Sequence, residues 1–211
     1  MSRFRTAAIV PVKTFSKAKT RLNLSCEKTE DICKTMLNEV LHTISQSKLI
    51  EKIVIVSKDE SAFKIGKRFG TIEIHDKKEL GVNNAVSLAD RYFLDEDFDA
   101  TIVFPQDIPL IQPEDIQALF DFHIVPRCAL VVPSRKFDGT NALFRTPVNL
   151  METHYDEDSY KIHLTTAQNK TASTALVLIR RIMLDIDEPE DLHYILKNTN
   201  YSISDTLKNL L

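Results

Sequence analysis

Apolar positions along this chain follow two patterns, and the two alternate. Ala7-Ala8-Ile9-Val10 is an unbroken apolar run, and residues 6 to 12 read as a buried strand. Ile32, Cys33, Met36, Leu37, Val40, Leu41 and Ile44 fall at helical spacing, which predicts an amphipathic helix over roughly 28 to 46. Ile53 to Val56 is a second buried strand, a helix follows over 60 to 69, and Gly70 suits its C-terminal stop. Thr71 to His75 is a short strand, and Asn83 to Leu94 a helix opening after Gly81. Ala100 to Phe104 is a strand ending at Pro105, and Pro113 stands at a first helical turn with Glu114 and Asp115 beside it. Ala129 to Val132 is another strand.

Strand and helix thus repeat four times with short connections. Continuous rather than alternating apolar strands mean that both sheet faces are covered. The fold class is α/β, with a mainly parallel sheet and right-handed crossovers. The second half changes character. A turn at Asp138-Gly139 precedes Leu143-Phe144, then come a polar helix near 159 to 169, strands near 175 to 179 and 182 to 186, and a helix from Pro189. A small antiparallel addition to the sheet is expected there. No linker or repeat divides the 211 residues, so they form a single domain. The tail, 201 to 211, carries Ile203, Leu207, Leu210 and Leu211; it can pack on its own domain or on a partner subunit, and a homodimer is the expectation drawn from it.

Charge sharpens the picture. The net charge is −3, which argues against a nucleic-acid partner. Residues 1 to 21 nevertheless hold six of the 27 basic residues (Arg3, Arg5, Lys13, Lys17, Lys19, Arg21) and no acidic one, leaving 21 basic against 30 acidic residues elsewhere. A local cation cluster on an acidic body suits a small anionic ligand. Cys26, Cys33 and Cys128 lack metal-type spacing and read as free thiols of a cytoplasmic protein. No apolar stretch approaches the roughly 20 residues of a membrane span, and the run after Met-Ser-Arg-Phe-Arg is too short for a signal peptide.

Open α/β sheets place ligands beyond the carboxyl ends of their strands, and four motifs fall at such ends. In VPVKTFSKAKTRL, residues 10 to 22, Lys13, Lys17, Lys19 and Arg21 follow strand one and can surround a polyphosphate. Neither G-x-x-x-x-G-K-[ST] nor G-x-G-x-x-G occurs, so a nucleotide would be held by side chains and metal rather than by a glycine cradle. In FPQDIPL, 104 to 110, Pro105 and Pro109 flank Asp107, a carboxylate suited to magnesium or, alternatively, to a turn. In LDIDEPEDL, 184 to 192, Asp185 and Asp187 would share one side of a strand while Ile186 faces the core; either could complete a metal site, and Asp187 could equally open a helix at Pro189. In DGTNALF, 138 to 144, and HYDEDSYKIH, 154 to 163, Thr140, Asn141 and Ser159 could bond a carboxylate or phosphate; Ser159 also suits a helix N-cap, and His154 and His163 suit the surface or local hydrogen bonds. In GVNNAV, 81 to 86, Gly81 permits close backbone approach and Asn83 offers donors and an acceptor to a nucleobase edge, unless the segment is a plain helix start.

In order and spacing these motifs, with the Ser-x3-His of SYKIH, resemble the 2-phospho-L-lactate guanylyltransferase family of deazaflavin-coenzyme biosynthesis, over residues 8 to about 196. The D-x-P element is shared more widely among nucleotidyltransferases of the nucleotide-diphospho-sugar transferase fold. The resemblance implies a Rossmann-like domain, GTP as donor, 2-phospho-L-lactate or a phosphoenolpyruvate-like acid as acceptor, Mg2+, and pyrophosphate release. Lys13, Lys17, Lys19, Arg21, Gly81 and Asn83 would then serve the nucleotide, Thr140, Asn141 and Ser159 the acceptor, and Asp107 with Asp185 or Asp187 the metal. Two places depart from the pattern: Val82 and Asn84 flank Asn83 where many members have leucine and alanine, and Asp156 stands where many have glycine. The alternatives are a nucleotidyltransferase for another phosphorylated or sugar acceptor, and a non-catalytic nucleotide-binding module.

Overall fold

A computed structural model describes residues 4–123, 126–156, 158–198 and 202–210. Seven strands form one sheet, and helices cover both of its faces. The strands are β1 (Thr6–Val12), β2 (Lys52–Ser57), β3 (Ile72–His75), β4 (Ala100–Val103), β5 (Cys128–Pro133), β6 (Thr140–Thr146) and β7 (Thr174–Leu176). They lie in the order β3-β2-β1-β4-β6-β5-β7. Neighbours pair in parallel except β6, which runs antiparallel to both β4 and β5. The helices are α1 (Cys26–Gln46), α2 (Glu60–Gly66), α3 (Val82–Asp95), α4 (Pro113–Asp121), α5 (Ser159–Gln168), α6 (Pro189–Asn198) and α7 (Ser202–Leu210).

Alternate residues of β1 feed two cores, as a period of two requires. Ala8, Val10 and Val12 pack into one with Ile32, Met36, Leu37, Val40 and Leu41 of α1. Ala7 and Ile9 pack into the other with Ala85, Val86, Ala89 and Phe93 of α3. Local chemistry sets the ends of the helices. The Ser25 hydroxyl accepts from the Lys28 amide at the start of α1, and Asp59 accepts from Ser61 at the start of α2. Gly70, after a 3-10 turn over Lys67–Phe69, has φ +67, the left-handed conformation that favours glycine as a stop.

The expected antiparallel addition is β6, which lies between β4 and β5, with Ile102 opposite Phe144. One expectation changes. Residues 182–186 form no strand, because β7 ends at Leu176 and the chain then turns away, leaving Ile182 and Ile186 fully buried among irregular backbone. The tail is also resolved in favour of its own domain. Ile203 and Leu207 are buried in the same core as α1, so the apolar tail gives no basis for a dimer; Tyr201 and Leu211 lie outside the described residues.

One buried charge ties the antiparallel strand to the sheet. Arg145 on β6 has 0% of its surface exposed; its two terminal nitrogens reach the Asp90 carboxylate at 2.9 and 2.7 Å, and Nη2 also bonds Thr101 on β4 at 3.1 Å. Removing one partner of such a pair strands the other charge in the core. Asp90→Ala is therefore expected to cost about 3–5 kcal/mol in urea unfolding; a loss below about 1 kcal/mol would show that the pair does not fasten β6.

Candidate active site

The carboxyl ends of β1, β2 and β4 open on one rim. Because β6 runs against β4, its first residue, Thr140, lies at that same rim. A cleft of about 610 Å³ occupies it. Lys13, Lys17, Lys19, Arg21, Gly81, Asn83, Asp107, Thr140 and Asp187 all line this cleft. Asn141, Ser159 and Asp185 stand behind it.

The opening loop holds its shape through alternation of anchors and cations. Phe15, Ala18 and Leu22 are buried, which turns Lys13, Lys17 and Arg21 outward. The backbone amides of Thr14 and Phe15 donate to Glu79 Oε1 (2.6 Å) and Asp59 Oδ2 (2.9 Å). Lys19 sits at φ +52, a left-handed conformation that costs a non-glycine residue free energy and commonly marks a functional site. That turn sends its side chain inward, where the ammonium donates to both Asp107 Oδ2 and Asp187 Oδ1. Burial alone would lower the pKa of this ammonium; the adjacent Asp107 and Asp187 charges outweigh it and hold the group protonated well above the usual lysine range. Arg21 reaches Asp187 Oδ2 (3.3 Å) and Glu188 Oε1 (3.4 Å) from an exposed position.

Asp107 lies in the loop after β4. Phe104, Ile108, Leu110 and Ile111, all buried, pin this loop, and the Ile186 amide donates to the Asp107 carbonyl at 3.0 Å. That bond brings the segment carrying Asp185 and Asp187 alongside. The start of α6 is capped from within: Asp191 Oδ2 accepts from the amides of Asp187 (3.2 Å) and Glu188 (3.0 Å). The Asp187 carboxylate is thereby left to face Lys19. Asp107 Oδ1 is buried without a hydrogen-bond partner, as is Oε1 of Gln106 next to it.

Asp185 differs from the other two aspartates. It accepts from Asn141 Nδ2 at 3.1 Å, and its pKa is raised to about 6, first by burial and then by the nearby Asp107 charge. Asn141 donates from Nδ2 to Asp185 and to the Ile182 carbonyl (3.0 Å), and so holds that aspartate in place. The hydroxyl of Ser159 donates to Thr140 at 3.0 Å, and the residue is the first of α5, not its cap. Asn83 Oδ1 accepts from the Tyr155 amide at 2.7 Å, which ties α3 to the loop before α5 and leaves Nδ2 beside Asp156 at 3.5 Å. Gly81 has φ +102 at the start of α3, so conformation favours glycine there, although a Cβ would meet open space. Sequence reasoning missed Glu79, Asp76, Gln106 and Tyr155 as part of the cleft. Gln106 sits inside the motif singled out for Asp107; Glu79 and Asp76 gave no signal in a charged stretch.

Among the described residues no helix is long and apolar enough to cross a membrane, and no three His, Cys, Asp or Glu side chains are grouped to hold a metal ion. Cys26, Cys33 and Cys128 are free, the last two buried.

A phosphate-scale cationic loop facing a rigid aspartate at the rim of a mainly parallel sheet is the arrangement of a nucleotidyltransferase, and solved structures share the fold. One from Desulfovibrio desulfuricans, described as a nucleotide-diphospho-sugar transferase, superposes with a TM-score of 0.75 at 16% identity, covering 97% of this chain and 94% of its own. A 4-diphosphocytidyl-2C-methyl-D-erythritol synthase gives 0.62 at 14% identity, covering 92% and 98%. The family model for "Guanylyl transferase CofC like" matches residues 6–210, and the chain belongs to that family. Its relatives include a 2-phospho-L-lactate guanylyltransferase of Methanothermobacter thermautotrophicus, 30% identical over 89% of this chain and 82% of the relative. A phosphoenolpyruvate guanylyltransferase of Conexibacter woesei is 27% identical (89% and 85% covered), and a 3-phospho-D-glycerate guanylyltransferase of Colwellia psychrerythraea 29% (89% and 90%).

The Asp185 environment makes stability depend on pH in a defined direction. A carboxyl whose folded pKa lies near 6, above its unfolded value, binds more proton when folded, so it lowers stability as pH rises from about 4 to about 6. Asp185→Asn keeps the bond to Asn141 and removes that titration. The variant is expected to gain on the wild type across this interval and to stay ahead above it, read from thermal melts; a constant difference across the interval would contradict the raised pKa.

Proposed function

We propose that this nucleotidyltransferase joins GMP from GTP to a small phosphorylated three-carbon acid, with 2-phospho-L-lactate as the first candidate, in biosynthesis of a deazaflavin coenzyme. The observation that carries this reading is the Lys19 ammonium between Asp107 and Asp187 in a cleft that also presents Lys13, Lys17 and Arg21. The names of the relatives support GTP and an acceptor of this class.

The acceptor phosphate is mostly ionised at neutral pH, its second pKa being about 6. It needs no general base, and the obstacle is bringing two anions together. An acceptor phosphate oxygen attacks the α-phosphorus of GTP in line. A new phosphorus–oxygen bond forms, the bond to the bridging oxygen breaks, and pyrophosphate leaves with its electron pair. Lys13, Lys17 and Arg21 face the triphosphate from the exposed side, and Lys19 from below. Thr140, at the amino end of β6, meets the acceptor. Such a site works by positioning and by preorganised charge.

Magnesium suits the rim. Asp107 has a buried oxygen with no partner, and Asp107 and Asp187 already converge on one cation, the Lys19 ammonium. These two carboxylates would hold the ion, with substrate oxygens and water completing its shell. When bound, magnesium neutralises phosphate charge and polarises the α-phosphate. Asp185, fixed by Asn141, adds negative charge behind them.

Incubation with each nucleoside triphosphate, Mg2+ and a panel of phosphorylated three-carbon acids should give a diphosphate-linked product with GTP, seen by mass. Lys19→Ala and Asp107→Ala are each expected to lower turnover on the order of 10²–10³-fold, the usual effect of losing one preorganised contact. Turnover within about twofold of wild type in both variants would refute the assignment. GTP binding that needs no metal and yields no pyrophosphate would favour a non-catalytic module instead.

A further inference from the structure

His163 was expected at the surface or in local hydrogen bonds. It is wholly buried on α5, and each ring nitrogen has a single partner. The backbone amide of His154 donates to Nε2 at 2.8 Å. An amide can only donate, so Nε2 carries no proton, and the neutral ring must carry its hydrogen on Nδ1. Nδ1 lies 2.9 Å from Thr140 Oγ1 and therefore donates to it. The Ser159 hydroxyl, 2% exposed, donates to the same oxygen at 3.0 Å. Thr140 Oγ1 then has both of its acceptor positions filled and one hydrogen left. Of these three side chains only Thr140 lines the cleft, so that hydrogen is directed there.

We propose that His163 is a positioning residue that, with Ser159, makes the Thr140 hydroxyl an obligate donor to an anionic oxygen of the acceptor, its carboxylate or phosphate. The proposal rests on the reading that Thr140 meets the acceptor. A threonine free to rotate would present lone pairs as readily as a hydrogen, and lone pairs repel an anion. Here the buried ring removes that choice before the acceptor arrives, as preorganisation requires. Protonating the ring would set Nε2–H against the His154 amide. Burial, then the Arg145 charge, accordingly hold the His163 pKa down to about 3, and the donor persists throughout the neutral range.

Two measurements test this separately. In enzyme labelled with 15N-histidine, the His163 ring should show a protonated Nδ1 and a bare Nε2, unchanged from about pH 5 to about 8. A ring protonated on Nε2, or one that titrates in that interval, would overturn the proposal whatever the kinetics. The second compares variants by steady-state rates. Gln at position 163 can still accept from the His154 amide but offers no donor toward Thr140, whereas Asn can offer that donor. His163→Gln should raise the acceptor KM by roughly tenfold or more, as for a lost hydrogen bond to a charged group, with the GTP KM within about twofold; His163→Asn should recover most of the loss. Thr140→Val should raise the acceptor KM at least as much. If Thr140→Val raises it and His163→Gln does not, the positioning role fails alone. If Thr140→Val leaves it unchanged, the placement of the acceptor fails as well. Should the Gln variant not fold, the ring's protonation pattern still decides.

Discussion

The Lys19 ammonium shared between Asp107 and Asp187 is the contact on which the rest of the site depends. Three loops far apart in sequence meet there: the one after β1, the one after β4, and the one before α6. Without the cation, two carboxylates would face each other in a half-buried recess, with Asp185 adding a third. Like charges so placed cannot all ionise without cost. The lysine thus permits an acidic, metal-suited rim to exist in the free protein. It also keeps a positive charge in the cleft. Its left-handed backbone is the local cost of pointing the side chain inward.

The strand arrangement explains why residues far apart in sequence share one cleft. Parallel β1, β2 and β4 deliver the cationic loop, the β2–α2 turn and Asp107 to one rim by their carboxyl ends. Antiparallel β6 delivers its amino end to the same rim, and with it Thr140. Arg145 fastens that reversed strand, to α3 through the buried pair with Asp90 and to β4 through Thr101. The Asn83 side chain accepts from the Tyr155 backbone and so ties α3 to the loop before α5. Asp76, Glu79 and Asp156 line the cleft together with its basic side chains, so both signs of charge meet there.

Much of this was legible in the sequence because it is local. Unbroken apolar runs marked the central strands, helical spacing marked α1 and α3, and their order implied a covered, mainly parallel sheet. Four cations after strand one and an aspartate between two prolines marked the rim, since strand ends carry ligands in such sheets. What was not legible depends on partners distant in the chain. Ile182 and Ile186 looked like strand residues because burial in irregular backbone leaves the same apolar signature. The partners of Asn141 and Ser159 were hidden because nothing local shows that Ile182, Asp185 and Thr140 would take their hydrogen bonds. Nor was it legible that Asp191 would cap the amides of Asp187 and Glu188, or that Asn141 would bond Asp185.

In the free protein the Lys19 ammonium is held between Asp107 and Asp187. NMR of the 15N-labelled lysine ammonium groups observes it most directly. In the free enzyme the account predicts one ammonium protected from solvent exchange, assigned by its absence in Lys19→Arg, that shifts when GTP and magnesium are added. A Lys19 ammonium exchanging as freely as the surface lysines, and indifferent to both ligands, would contradict it.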